Sequence, residues 1–165
     1  MMGSARSLEE ASKQVANWRA NGEKVVFTNG VFDILHVGHV TYLLAAKELG
    51  SRLVVGVNAD ESVRRLNKAP NRPINPQHAR MILLEALVPV DLTVVFEEDT
   101  PLELIKVLKP DVLVKGGDYN PDCTDVNDPT YMVGSKEVKT WGGEVTSIPL
   151  VEGYSTTAIL KKLGK

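Results

Sequence analysis

Two imidazoles three residues apart, His36 and His39, with Gly38 between them, are the side chains in this sequence best suited to chemistry. They follow the apolar run Val25-Val26-Phe27, which predicts a buried strand, and they stand where a helical pattern of Val37, Val40, Leu43 and Leu44 begins. At such a junction the unpaired backbone N–H groups and the positive end of the helix dipole attract an anion, by roughly 0.3–1 kcal/mol and more when partly buried. Gly30 and Gly38 lack a Cβ, so a phosphoryl group can approach the main chain closely at either position. Two donors converging where charge develops suit phosphoryl transfer, whose catalysis is mostly positioning and electrostatic stabilisation. H-x-x-H is also half of a zinc site; completing one takes further ligands, and only Cys123 and His78 remain as soft candidates. The spacing favours phosphate over metal.

Other candidates lie further along. Ser155-Thr156-Thr157 offers three hydroxyls and fresh backbone donors at a helix start, suited to the β- and γ-phosphates of a nucleotide, although Ser155 alone can be an ordinary N-cap. Lys68 and Arg72 are cations of a loop marked by Pro70 and Pro73, and Arg80 lies one turn into the next helix; charges in such places are usually solvated. Lys115-Gly116-Gly117-Asp118 reads as a tight turn after a strand, and Asp33, beside a helix start, can cap it.

The elements that position these residues follow from periodicity. A lead-in helix over residues 7–21 carries Leu8, Ala11, Val15 and Trp18 on one stripe, with Trp18 as packing and Gly22 as its C′ residue. The first strand and a helix over 37–49 come next. A second strand over 52–57 has the continuous apolar character of a strand covered on both faces, and Asp60 caps a short helix bearing Val63 and Leu66. Asn75-Pro76 reads as N-cap and first residue of a helix with Met81, Leu84 and Leu87 inward. Strands over 91–96, 112–114 and 145–148 complete the set. Thr100 to Glu103 has capping-box spacing before the stripe Leu102, Ile105 and Leu108, helical spacing runs over 133–141, and a last helix carries Ile159, Leu160 and Leu163. Residues 119–131, from Tyr119 to Tyr131, read as a mobile polar excursion. Alternating strands and helices predict a three-layer, Rossmann-like α/β fold, a parallel sheet of about five strands with right-handed crossovers. Ligands of such sheets sit beyond the carboxyl ends of the strands, and the candidates cluster just after strands.

Length and composition bound the rest. A chain of 165 residues predicts one domain, 1–165, with residues 1–22 as a helical lead-in. One cysteine allows no intramolecular disulfide, and Arg6, Glu9, Glu10 and Lys13 occupy the place of an apolar signal segment, so a cytoplasmic location is expected. Apolar runs fall far short of the ~20 residues that span a bilayer. A formal charge of -2 with both signs interspersed gives no basic field for nucleic acid.

The motif Thr28-x-Gly30-x-Phe32-Asp33-x-x-His36-x-Gly38-His39 resembles the signature of the HxGH nucleotidyltransferase superfamily, which includes cytidylyltransferases and sugar-phosphate adenylyltransferases. Val57-Asn58-Ala59-Asp60-Glu61-Ser62-Val63, Arg72-Pro73-Ile74-Asn75, the stretch from Val112 to Tyr119 and Val151-Glu152-Gly153-Tyr154-Ser155-Thr156-Thr157 resemble, more narrowly, the adenylyltransferase domain of ADP-heptose synthases. The resemblance implies a transfer of AMP from ATP to a sugar 1-phosphate, D-glycero-β-D-manno-heptose 1-phosphate, for lipopolysaccharide or another surface glycan. It implies catalytic roles for His36, His39 and Lys68, and nucleotide contacts from Thr28, Asn29, Gly30, Phe32, Asp33, Gly38, Arg72, Arg80, Lys115, Gly117, Asp118, Ser155, Thr156 and Thr157. Mg²⁺ is expected with ATP, with Asp33 as its candidate ligand; a homodimer and a separate upstream sugar kinase are further expectations. Two departures bear on specificity. Leu150-Val151 stands where cytidylyltransferases of choline or glycerol phosphate begin their last motif with Arg-Thr, and the 119–131 segment is longer than in bifunctional heptose synthases. A cytidylyltransferase for a small polyol phosphate such as glycerol 3-phosphate, and a non-catalytic nucleotide-binding module, are the alternative readings.

Overall fold

Neighbouring residues of strand β1 (Val25–Gly30) belong to two different apolar layers: Val25 and Phe27 pack on one side of the sheet and Val26 on the other. The same alternation holds in β2 (Arg52–Asn58), where Val54 joins the first layer and Leu53, Val55 and Val57 the second, as the two-residue period of a strand requires. The computed structural model describes residues 7–66 and 70–164. Its sheet is parallel throughout, with order β3-β2-β1-β4-β5, where β3 is Leu92–Phe96, β4 is Val112–Gly116 and β5 is Glu144–Ile148. Phe27 is central, paired with Val54 on one side and Leu113 on the other.

Helices α1 (Leu8–Ala20), α5 (Leu102–Leu108) and α6 (Ser135–Thr140) contribute Val15, Trp18, Ile105 and Val138 to the first layer. Helices α2 (Val37–Lys47) and α4 (Gln77–Glu85) contribute Leu43, Ala46, Met81 and Leu84 to the second. Each buried Leu, Phe or Val stabilises the fold by about 1.5–3 kcal/mol relative to exposure, so both faces of the sheet are held, and the expected three-layer architecture is present. Two short helices, α3 (Asp60–Arg65) and α7 (Thr156–Lys162), follow strands β2 and β5.

Several local expectations shift. Helix α1 starts in a capping box: Ser7 N–H donates to Glu10 Oε2 at 2.8 Å and Glu10 N–H to Ser7 Oγ at 3.2 Å. Asp60 lies inside α3, whose N-cap is Ala59, and its carboxylate is held by Arg80 at 2.8 Å. Asn75 gives its N-cap position to Pro76, because its amide donates to the Asp33 carbonyl. Thr100 makes no capping box; Pro101 is the N-cap of α5, and the shifted start buries Leu104 where Leu102 was expected. Leu163 is exposed, since α7 buries no side chain.

Candidate active site

Strand order reverses between β1 and β4, so the crevice of this sheet opens beyond Gly30 and Gly116. Past β1 the chain turns sharply through Phe32, at φ +49°, a left-handed conformation costly for an aromatic residue. That turn sets the Phe32 ring edge-on against His39, with centroids 5.3 Å apart. His39 in turn stacks on His36, centroids 3.8 Å apart and planes 21° from parallel. Two glycines seat this series of rings. A Cβ on Gly30 would lie 3.0 Å from the Phe32 ring, and one on Gly38 would lie 3.0 Å from Nδ1 of His36.

His36 is the N-cap residue of α2, yet no side chain caps that helix. Nδ1 of His36 and Nδ1 of His39 are buried with no hydrogen-bond partner of good geometry among the described residues. A buried polar atom without a partner costs roughly 1–3 kcal/mol, and native folds rarely keep two side by side without use. Burial lowers the pKa of His36. Burial, then the neighbouring His36 charge, push His39 down to about 4 against a smaller opposing effect of the Ile34 backbone. The pair is therefore neutral at pH 7, ready to gain proton affinity when an anion arrives.

Lys115, at the end of β4, reaches across the switch point and donates to the Asn29 carbonyl at 3.2 Å, with its ammonium 5.5 Å from the Tyr119 ring centroid. Gly117 takes φ +90° as the chain leaves the sheet, and Asp118 beyond it is exposed. The segment ahead of α7 also comes to the histidines: the same hypothetical Cβ on Gly38 would lie 3.3 Å from Cβ of Tyr154. Ser155 Oγ accepts from Ala158 N–H at 3.0 Å, so its side chain caps α7, while Thr156 and Thr157 open the helix. A cleft of about 330 Å³ runs beside Asn29, Gly30 and Lys115 to Asp99, Tyr119 and Tyr131. A larger hollow of about 520 Å³ lies at the opposite end of the sheet; its charges are paired, Arg19 with Asp111 at 3.8 Å and Lys24 with Glu144 at 3.2 Å, and it contains none of the candidate residues.

Four expected contacts turn out to be supports beneath the site. Thr28, fully buried, shares a 2.6 Å hydrogen bond with Tyr42, whose hydroxyl also reaches the Val114 carbonyl at 3.2 Å, and burial raises the Tyr42 pKa. Asp33 is buried; its carboxylate pairs with Arg72 and accepts from the N–H groups of Ile74 and Asn75 at 2.9 and 2.8 Å. Arg80 has no exposed surface, and it donates to the carbonyls of Asn75, Val31 and Asn58 at 3.0, 2.7 and 2.8 Å as well as to Asp60. In this structure the guanidinium is closed in by protein oxygens. Asp33 likewise has its oxygens engaged, and the described residues hold no cluster of three metal-ligating side chains. Mg²⁺ fits better as part of the nucleotide substrate, carried on phosphate oxygens and water, its usual manner of binding. Lys68 lies outside the described residues.

Sequence reading missed Tyr42, Asp99 and Tyr131. Tyr42 alone carried a signal, its four-residue spacing from Gly38 and Ala46 on the buried face of α2.

A family model described as cytidylyltransferase-like matches residues 27–162. The chain is 53% identical over 153 residues to the bifunctional protein HldE of Magnetococcus marinus, covering 93% of this chain and 30% of that protein. It is 54% identical over 159 residues to the bifunctional protein HldE of Klebsiella pneumoniae, covering 96% and 31%. The chain thus spans about 30% of the length of these curated relatives. Among solved structures, a lipopolysaccharide core biosynthesis protein from Thermoplasma volcanium superposes with TM-score 0.60 at 29% identity, over 81% of this chain and all of that one. Pantoate-beta-alanine ligase from Francisella tularensis shares the fold, with TM-score 0.61 at 15% identity over 96% of this chain and 76% of that one. Matched over most of its length, and with its paired histidines at the switch point of a parallel sheet, this chain belongs to the cytidylyltransferase-like family of nucleotidyltransferases.

Proposed function

We propose that this chain transfers AMP from ATP to a sugar 1-phosphate, D-glycero-β-D-manno-heptose 1-phosphate, releasing pyrophosphate and ADP-heptose. The observation that carries the reading is the stacked His36–His39 pair, with two unpartnered ring nitrogens at an uncapped helix start. Family membership supports nucleotidyl transfer, the relatives named HldE support the heptose, and the neighbour named for lipopolysaccharide core biosynthesis supports a surface-glycan destination.

In this reading the triphosphate lies over the start of α2, and an oxygen of the sugar phosphate attacks the α-phosphorus in line. The new P–O bond forms as the bond to the β-phosphate oxygen breaks, and pyrophosphate leaves with that electron pair. His36 and His39 donate to the α-phosphate and the departing oxygens, where charge accumulates. Bound Mg²⁺ supplies charge neutralisation across the phosphate oxygens. Asp33 holds Arg72 and the Ile74 N–H, which anchors the chain ahead of α4, and the role proposed for Lys68 is to neutralise the reacting phosphates. Lys115, Gly117 and Asp118 line the nucleoside side, and Thr156 and Thr157 the distal phosphates. A separate sugar kinase that phosphorylates the anomeric oxygen is the proposed source of the acceptor. A homodimer is also part of this proposal.

The purified chain, given Mg²⁺, heptose 1-phosphate and either ATP or CTP, should release pyrophosphate with ATP. Release with CTP and glycerol 3-phosphate would favour the cytidylyltransferase reading. Nucleotide binding by calorimetry, with no pyrophosphate from any acceptor, would leave only a binding module.

A further inference from the structure

Residues 120–130, between β4 and α6, form a closed loop that no step above uses. The Asn120 N–H donates to the Thr130 carbonyl at 2.9 Å, which shuts the loop at its base. Side-chain turns brace its interior: Asn120 Oδ1 accepts from Asp122 N–H at 3.0 Å, Asp125 Oδ1 from Asn127 N–H at 2.9 Å, and Asp128 Oδ1 from Thr130 N–H at 2.7 Å. The ends of the loop meet, its side-chain turns brace it from within, and Lys139 of α6 ties it to the fold by donating to the Pro121 carbonyl at 2.6 Å. Closure brings Tyr119 and Tyr131, the residues flanking that base, together, and both line the cleft of about 330 Å³ that also takes in Asn29 and Gly30 at the end of β1.

We propose that Tyr119 and Tyr131 choose the acceptor, forming the aromatic wall on which the sugar ring of the 1-phosphate rests. The proposal rests on the adenylyltransferase reading above and assigns specificity within it. A sugar ring presents C–H faces that pack on aromatic rings and hydroxyls that need partners at the rim. The same cleft supplies both kinds of surface. Tyrosine rings form one part, and the turn before α5 adds Asp99, which holds Arg65 through Oδ1 at 2.6 Å and thereby leaves Oδ2 for a hydroxyl, together with Thr100. Lys115, on the nucleoside side of the site, also lines this cleft, so the acceptor held there would lie next to the nucleotide. The volume is at the lower end of the ~300–1,000 Å³ usual for small-molecule sites, and accommodates one sugar phosphate beside a nucleotide held elsewhere.

The test is steady-state pyrophosphate release by the full chain, with Tyr131→Ala, Tyr131→Phe, Tyr119→Ala and, at the loop tip, Val126→Ala, whose parent side chain is 67% exposed. Probes are heptose, mannose and glucose 1-phosphates against a fixed excess of MgATP, then ATP varied at fixed sugar. Each alanine at a tyrosine position should raise KM for the preferred sugar about ten-fold or more and narrow its advantage over the other sugars, with KM for ATP within about two-fold. Tyr131→Phe, which keeps the ring and removes the hydroxyl, should restore sugar KM from the Tyr131→Ala value toward that of the parent, and Val126→Ala should behave as the parent. The proposal is overturned if sugar KM stays put in both alanine variants, if sugar and ATP KM rise together, or if kcat alone falls. Should Tyr131→Ala fail to fold, Tyr119→Ala decides, because that ring is already 36% exposed and its loss leaves the core intact. A wild-type chain inactive with every sugar 1-phosphate would sink the adenylyltransferase reading and this proposal together; active wild type with unaltered variants would sink this proposal alone.

Discussion

Two imidazoles stacked at 3.8 Å cannot both hold a proton cheaply, and burial adds to the penalty. His39 is accordingly held at about 4, from an unperturbed 6.5. Between those values the unfolded chain binds the proton that the folded one refuses, so stability rises with pH. The contribution is complete above pH 6.5 and is lost as pH falls toward 4. A bound triphosphate places negative charge beside the rings and reverses the preference. NMR titration of the His39 ring should therefore give a low pKa in the free protein and an upward shift on adding MgATP; a ring titrating near 6.5 in the free protein, unmoved by nucleotide, would contradict the geometry. Gly38 tests the same stack sterically. Its missing Cβ would fall 3.0 Å from His36 Nδ1, closer than ordinary contact, so Gly38→Ala must push the His36 ring aside. The ring must give by a few tenths of an ångström, so turnover should drop by several-fold, since catalysis here depends on donor placement. Unchanged kcat in that variant would show that ring placement is unimportant.

At the scale of elements, the site depends on buried charges that tie loops to strand ends. Asp33 fastens the loop before α4 through Arg72 and two backbone N–H groups, and Arg80 fastens the start of α4 to the ends of β1 and β2. Removing one member of such a buried set leaves the other charge uncompensated, a loss of about 3–5 kcal/mol. Asp33→Ala should lose that much in urea denaturation and raise KM for ATP through a loosened loop; full stability in the variant would mean that the network is dispensable. These ties mark the limit of what the sequence made legible. The strands, the helix after the histidines and the clustering of candidates beyond strand ends follow from periods of 2 and 3.6, which the residues print directly. Nothing in the spacing of Arg80 distinguishes a phosphate ligand from a guanidinium closed in by three carbonyls and Asp60, because its partners lie at Val31, Asn58 and Asn75. The same holds for Thr28, whose hydroxyl meets Tyr42 only once α2 has folded over β1. Helix starts slipped by one residue at Asn75 and Pro101, where a local cap signal was overridden by a hydrogen bond from elsewhere or by a proline.

The whole molecule has two poles. At the amino ends of the strands charges neutralise each other, with Asp91 taking Leu53 N–H at 2.7 Å together with Lys47 and Arg52. At the carboxyl ends, strand order reverses between β1 and β4, and the stacked His36 and His39 follow β1 there. Chemistry at one pole and structural charge at the other is the division a doubly wound sheet imposes. None of the described helices is long and apolar enough to cross a membrane. The central claim is that the paired rings stabilise the charge of the transferring phosphate, and pyrophosphate release by His39→Ala, with saturating MgATP and heptose 1-phosphate, tests it most directly. A loss of about 10²-fold or more in kcat, with the variant still folded, is the predicted result; turnover within a few-fold of the parent chain would contradict it.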